Sequence, residues 1–202
     1  PYVMAQALEQ TSIIFEEYLS VEREANKRSE YTGGEVFAMA DSNEAHSTIV
    51  GDFSARINIH LPEQCRVWQS DMKVVGKTKD QQPFSYYPDI MAACADDEDS
   101  NDYYRTNPLL IVEVLSPSTQ RTDLNEKLDS YKQIKSLLEY VVVSQDTPWV
   151  RVYRRRNNWQ LETFGAEQNL ILESIDMELP VTDIYRRVKR EVGLEIPPLP
   201  QP

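Results

Sequence analysis

Cysteine, histidine and glycine are scarce in this sequence, and each shortage closes off a class of chemistry. Two cysteines, Cys65 and Cys94, in 202 residues are too few for a disulfide framework. Reduced thiols in a cytoplasmic protein are the expectation. With only two histidines, His46 and His60, and no Cys-x-x-Cys, there is no zinc-site pattern. The 6 glycines form neither a phosphate-cradling loop nor a Gly-x-Ser-x-Gly elbow, so nucleotide hydrolases and serine esterases have no support. No apolar run approaches the roughly 20 residues that span a bilayer. Pro1–Gln6 lacks a secretory signature, and no membrane association is expected. The sequence opens on Pro1 rather than Met, so residues ahead of it are expected to have been removed.

Positive charge is also in deficit. Against 33 Asp and Glu stand 21 Lys and Arg, a net charge of −12. A domain this acidic repels a polyanion at long range. The imbalance is uneven, however: residues 1–100 carry −10 and residues 101–202 only −2. The second half therefore keeps surface on which phosphates can be met.

What is present reads as a globular chain, with 41% hydrophobic and 27% charged residues. Ser12–Ala25 reads as a helix capped by Ser12, and Tyr31–Phe37 as a hairpin around Gly33-Gly34. Asn43–Leu61 reads as a second helix ended by Pro62. Cys65–Val75, Tyr87–Cys94, Leu109–Leu115, Leu138–Gln145, Trp149–Arg155 and Trp159–Phe164 read as strands. Ser116–Thr119 is expected to turn. Helices are expected from Asp123 to about Lys135 and over Val181–Val192. This order suggests an α/β or α+β fold in one domain over residues 1–195, with a proline-rich tail over 196–202.

Three polar residues stand where apolar ones are expected. Glu113 lies inside the run Leu109–Leu115, the pattern of a strand covered on both faces. A carboxylate there must be paired, bind a metal, or be held protonated. Asp89 opens the run Ile90–Cys94; it is either a turn residue or, if the two strands adjoin, a partner to Glu113. Paired carboxylates are what a hard divalent cation such as Mg²⁺ takes. Lys127 falls on the inward stripe of Leu124, Leu128, Tyr131 and Ile134. It either snorkels to solvent or finds an anion, which Asp89 and Glu113 would supply. Glu35, His46 and Asp71 are weaker candidates, each equally readable as a surface residue. Asp96–Asp99 lacks the spacing of a calcium loop and reads as solvated. Trp149, Arg151, Tyr153 and Arg155 share one strand face, followed by Arg156. Such interleaving suits nucleic acid, or simply keeps an edge strand soluble.

The segments Tyr86–Ile90 and Pro108–Thr119, with Arg121, Asp123, Lys127 and Tyr131, resemble the Uma2 family of bacterial restriction-endonuclease-like proteins. That family belongs to the PD-(D/E)xK nuclease superfamily. The resemblance extends through Glu30–Glu35, Ser42–His46 and Leu138–Arg154. It implies a restriction-endonuclease-like mixed central sheet flanked by helices, with a metal site where central strands diverge. It further implies that Asp89 and Glu113, with Glu35 as an extra acid, hold Mg²⁺ or Mn²⁺. The motif's lysine belongs two residues after Glu113, where this chain has Leu115. The resemblance implies that Lys127 from the next helix replaces it. Asp89, Glu113 and Lys127 are then catalytic in metal-dependent phosphodiester hydrolysis. His46, Asp71 and Tyr131 are expected as accessory residues, and from the basic strand pattern Arg151, Arg154, Arg155 and Arg156 are expected to contact DNA. A homodimer is implied as well. The competing expectation is an inactive nuclease-fold protein used for binding or assembly, favoured by Leu115 and the net charge.

Overall fold

The computed structural model describes residues 12–115 and 123–194. The expected Ser116–Thr119 turn, Arg121 and the proline-rich tail lie outside these residues. The first helix, α1 (Phe15–Glu24), starts later than expected. Its N-cap position falls on Ile14, whose side chain has no acceptor, so Ser12 does not cap it. The hairpin β1 (Ser29–Thr32) and β2 (Glu35–Ala38) turns through Gly33 and Gly34, at φ of 60° and 87°. Glycine takes such left-handed conformations without strain, and the pair gives the twist a two-residue hairpin needs. In α2 (Glu44–His60), the Asn43 side chain accepts the His46 N–H at 2.9 Å. Ile49, Val50, Phe53 and Ile57 form its buried stripe.

The single strand expected over Cys65–Val75 is two. Ser70, with a φ of 49°, breaks it into β3 (Arg66–Gln69) and β4 (Lys73–Lys77), which enter different sheets. β5 (Pro83–Tyr86) and β6 (Ile90–Ala93) part in the same way. Next come β7 (Tyr104–Arg105) and β8 (Leu110–Leu115). Asp123–Lys127 winds in π geometry and continues as the α-turn Leu128–Tyr131; together they are α3. β9 (Glu139–Ser144), β10 (Trp149–Arg154) and β11 (Leu161–Gly165) follow. The hairpin β12 (Asn169–Leu172) and β13 (Met177–Pro180) was not anticipated, because each strand is too short to show alternation clearly. The last helix, α4, is only Val181–Ile184. Beyond it Val188 and Val192 stay buried at helical spacing, but the backbone proceeds in turns. The adjacent like charges Arg186, Arg187, Lys189 and Arg190 disfavour one regular helix.

The larger sheet runs β11-β10-β9-β8-β6-β3, and the smaller β2-β1-β5-β4-β7. β8 and β9 are parallel and their other neighbours antiparallel, so the fold is α+β with a mixed central sheet flanked by helices. One face of that sheet packs on α2, the β12–β13 hairpin and α4 through Val112, Val141, Phe53, Leu170 and Ile184. The other packs on α3 and the smaller sheet through Ile111, Leu115, Val142, Tyr131 and Phe84. β8 is therefore buried along its whole length on both sides. Among the described residues no helix is long and apolar enough to cross a membrane.

Two expectations are corrected here. Cys65 and Cys94 are joined in a disulfide. The pairing Arg66↔Ala93 sets them opposite one another at the ends of β3 and β6, with Cα atoms 4.0 Å apart. Cysteine count excludes a framework but not one bridge, so the thiols no longer argue for a reducing compartment. Arg154, expected to contact DNA, is 1% exposed. It pairs with Glu139 at 3.1 Å, Glu162 at 2.9 Å and Glu173 at 3.5 Å, and donates to the Ile171 carbonyl. It fastens the β12–β13 hairpin to the sheet.

Two stability outcomes follow. Arg154→Ala leaves Glu139 buried without its cation and is expected to cost ~3–5 kcal/mol in urea unfolding, whereas Arg156→Ala changes it little. Reducing the Cys65–Cys94 bridge is expected to cost ~2–4 kcal/mol through a freer unfolded chain. Calorimetry with and without reductant reads this as a lowered Tm; an unchanged Tm would count against the bridge.

Candidate active site

The site forms where the chain passes between the two sheets. β5 belongs to the smaller sheet and β6 to the larger, and Tyr87-Pro88-Asp89 makes the corner. Pro88 has no N–H to extend a ladder, so pairing stops there. The register Ile90↔Val112 and Met91↔Ile111, continued by one residue, sets Asp89 opposite Glu113. The Val114 N–H, where a backbone partner ends, donates instead to Asp89 Oδ2 at 2.7 Å. The other Asp89 oxygen lies 3.1 Å from His46 Nε2, and its carbonyl accepts the Ser70 N–H at the β3–β4 corner. Two corners thus hold Asp89 through main chain and side chain together.

Glu113 projects onto the face shared with Ile111 and Leu115. Two groups from α3, four residues apart, converge on its Oε1. Tyr131 donates at 2.8 Å, and Lys127 Nζ lies at 3.4 Å. Lys127 Nζ also donates to Glu30 Oε1 at 3.0 Å and stands 5.3 Å from the Tyr86 ring centre. Glu30 Oε1 in turn accepts the Tyr87 N–H at 3.0 Å. Tyr131 is fully buried, and desolvation followed by the Glu113 charge pushes its phenol well above the ordinary value. It is therefore a donor that stays protonated.

Behind this layer, the Tyr87 hydroxyl donates to Glu22 Oε1 at 2.9 Å, and Lys73 Nζ lies 3.4 Å from that hydroxyl. Burial is the main cause that raises the Tyr87 phenol and lowers the Lys73 ammonium. Glu22 also accepts from the Ser29 N–H and hydroxyl, so α1 braces the start of β1.

A cleft of about 460 Å³ opens on Glu30, His46, Asp89, Glu113 and Lys127. Of the residues singled out in the sequence, Asp89, Glu113, Lys127, His46 and Tyr131 come together. Glu35 does not: it stands exposed on β2 outside the cleft lining, and Glu30 is the acid that β1 contributes. Alternation carried the signal, since Glu30 and Thr32 share the face opposite buried Tyr31. Asp71 is 86% exposed and pairs with Arg28 outside the cleft. Arg155 donates to the carbonyls of Leu137 and Ile134, and Arg156 pairs with Glu173. Arg155, like Arg154, spends its donors on the fold, whereas Arg156 stays 57% exposed with Glu173 as its partner. Arg151 stacks at 4.2 Å over Trp149.

Asp89 and Glu113, set opposite on adjoining strand ends beside a cleft, are the oxygen donors that Mg²⁺ or Mn²⁺ takes. Among the described residues no three His, Cys, Asp or Glu side chains form a ready cage. The donor set therefore fits an ion that keeps water and shares its coordination with a substrate, as Mg²⁺ commonly does.

Comparison with known proteins identifies the family and the fold. Two uncharacterised proteins of Synechocystis sp. (strain ATCC 27184 / PCC 6803 / Kazusa) are similar to the chain. One, slr1290, is 30% identical over 174 residues, covering 85% of this chain and 90% of that protein. The other, sll1609, is 30% identical over 143 residues, covering 69% and 78%. The crystal structure of a putative nuclease belonging to DUF820 from Anabaena variabilis ATCC 29413 shares the fold, with a TM-score of 0.69 at 20% identity. The match covers 86% of this chain and 98% of that one. The Uma2 family model, described as "putative restriction endonuclease", matches residues 15–182, and the chain belongs to that family.

Proposed function

We propose that the protein is a metal-dependent endonuclease that hydrolyses phosphodiester bonds in DNA. The observation that carries this reading is the position of Lys127. Its ammonium, delivered from α3, reaches Glu113 on the strand where the motif's own lysine position is Leu115. Family membership and the shared fold support a nuclease; the divalent ion, the substrate and the residue roles are our reading.

Asp89 and Glu113 would hold Mg²⁺ or Mn²⁺, with Glu30 in place of Glu35 as the nearby third acid. Bound there, the ion would lower the pKa of a coordinated water and offset phosphate charge. The protein's own groups do the rest. The Val114 N–H and His46 fix the Asp89 carboxylate, so it need not reorganise when a ligand arrives. Tyr131 does the same for Glu113 and, held protonated, acts only as a donor. Lys127 is set to orient the attacking water and to stabilise negative charge that develops on the phosphoryl oxygens. A burial of about nine-tenths strengthens that effect, because the ammonium is shielded from bulk water. The attacking water gives up a proton to solvent as its oxygen bonds to phosphorus, the bond to the sugar oxygen breaks, and that leaving oxygen takes a proton from solvent.

Leu115 also admits a second reading, a nuclease fold that binds without cutting. A nicking assay on supercoiled plasmid separates the two. Wild type is expected to nick with Mg²⁺ or Mn²⁺ and to stop when EDTA removes them. Asp89→Asn and Glu113→Gln should abolish nicking, and Lys127→Ala should slow it ~10²–10⁴-fold. Wild type that matches these variants with either metal would establish the binding reading instead. Because burial and Glu113 raise the Tyr131 phenol, its ionisation should add no limb to the pH–rate profile below about pH 10. A limb that Tyr131→Phe removes would contradict its role as a fixed donor.

A further inference from the structure

One surface close to the cleft has no role in that mechanism: the open face of β10 and β11. Along β10, Val150, Val152 and Arg154 are buried, while Trp149, Arg151 and Tyr153 point the other way and are half-buried. This is the face of the sheet that bears Glu113, since Trp149 and Tyr153 pack against the same core as Ile111 and Leu115. The registers fix its distance from the site. Glu113 pairs with Val142, Val142 with Arg151, and Arg151 with Thr163. Arg151 thus stands in the row of Glu113, two strands and about 10 Å away.

The charge on this face is unusual for a chain of −12. Its side chains on β10 and β11 are Trp149, Arg151, Tyr153, Leu161 and Thr163, with no carboxylate among them. The acid of β11, Glu162, turns to the opposite side and pairs with Arg154. Arg28, Arg56, Arg154, Arg156, Arg186 and Arg187 all pair with acids. Arg151 makes no ion pair among the described residues. Its guanidinium lies over Trp149, and its Nε is buried without a hydrogen-bond partner.

We propose that this face, in the row of Glu113, is a platform for single-stranded DNA beside the catalytic cleft. Aromatic rings on a sheet stack against base faces, which are accessible in a single strand and covered in a duplex. One cation interleaved between two rings suits one or two phosphates of a flexible strand. A duplex, with its higher charge density, asks for several cations at once. The preferred substrate of the nuclease is accordingly DNA that is single-stranded or frayed beside the cut. This rests on the nuclease reading, but the binding half is testable without cleavage.

The test uses the full chain in EDTA, a short fluorescein-labelled oligo(dT), and a blunt duplex of equal length. Anisotropy and tryptophan emission are followed together. Oligo(dT) should bind more tightly than the duplex and quench tryptophan emission. Trp149→Leu and Arg151→Ala should each weaken it at least about fivefold. Trp149→Phe should restore most of the loss, which separates stacking from a folding defect. Arg151→Ala should also flatten the log–log salt dependence by roughly 0.7, the share of one phosphate. Arg156→Ala should leave binding unchanged. The proposal fails if the duplex binds as well as oligo(dT), if neither binds, or if Arg156→Ala costs as much as Arg151→Ala. It also fails if the wild type is a dimer that Trp149→Leu dissolves, because a second copy then covers the face. Plasmid nicking without oligo(dT) binding overturns the platform alone. Oligo(dT) binding without any nicking supports the platform and removes the nuclease reading.

Discussion

A carboxylate in a strand buried on both faces has to be compensated, and much of the architecture around Glu113 serves that need. Its exposure is 5%, so leaving it without partners would cost several kcal/mol. Compensation comes from α3, where the spacing of Lys127 and Tyr131 brings an ammonium and a phenol to the same oxygen. Lys127 then carries a charge of its own into a buried place and needs a second anion. Glu30 supplies it, and the Tyr87 N–H steadies Glu30. Tyr87 is held from behind by Glu22 on α1. One buried charge thus ties together α1, β1, the β5–β6 corner, β8 and α3.

The centre of this arrangement was legible in the sequence because it violates local rules. An acid in an apolar run and a lysine on an apolar stripe are each anomalies, and both lead to the cleft. Asp89 was legible only as a possibility until the register placed it opposite Glu113. What was not legible involves long-range pairing. Glu30 and Glu35 share one face of the hairpin, Glu30 opposite Phe37 and Glu35 opposite Thr32 beside the turn, and nothing in composition says which end of that face meets the cleft. The break at Ser70 turns on a backbone conformation that many residues can adopt at some cost. The β12–β13 hairpin is short, and an arginine on another strand holds it. Arg154 joins the basic strip by nearness in sequence, although alternation sets it with Val150 and Val152 on the apolar face, which is the inner one.

Net charge hides how the charge is placed. Many of the arginines spend their charge within the fold, on Glu139, Glu162, Glu173, Asp52, Asp71 and Asp183. The face around Arg151 is one part of the surface left for an outside anion. Its character comes from the absence of acids around Arg151 more than from any wealth of bases.

The Tyr87-Pro88-Asp89 corner has a further consequence, for chain length. Three residues carry the backbone from one sheet to the other with no slack, and the middle one has a fixed φ. Side chains in a strand alternate, so one added or lost residue would present Pro88 or Ile90 where Asp89 now meets Val114 and His46. Connections between strands usually absorb insertions with little effect. This one behaves as a ruler. Between β5 and β6 the count of residues is itself under constraint.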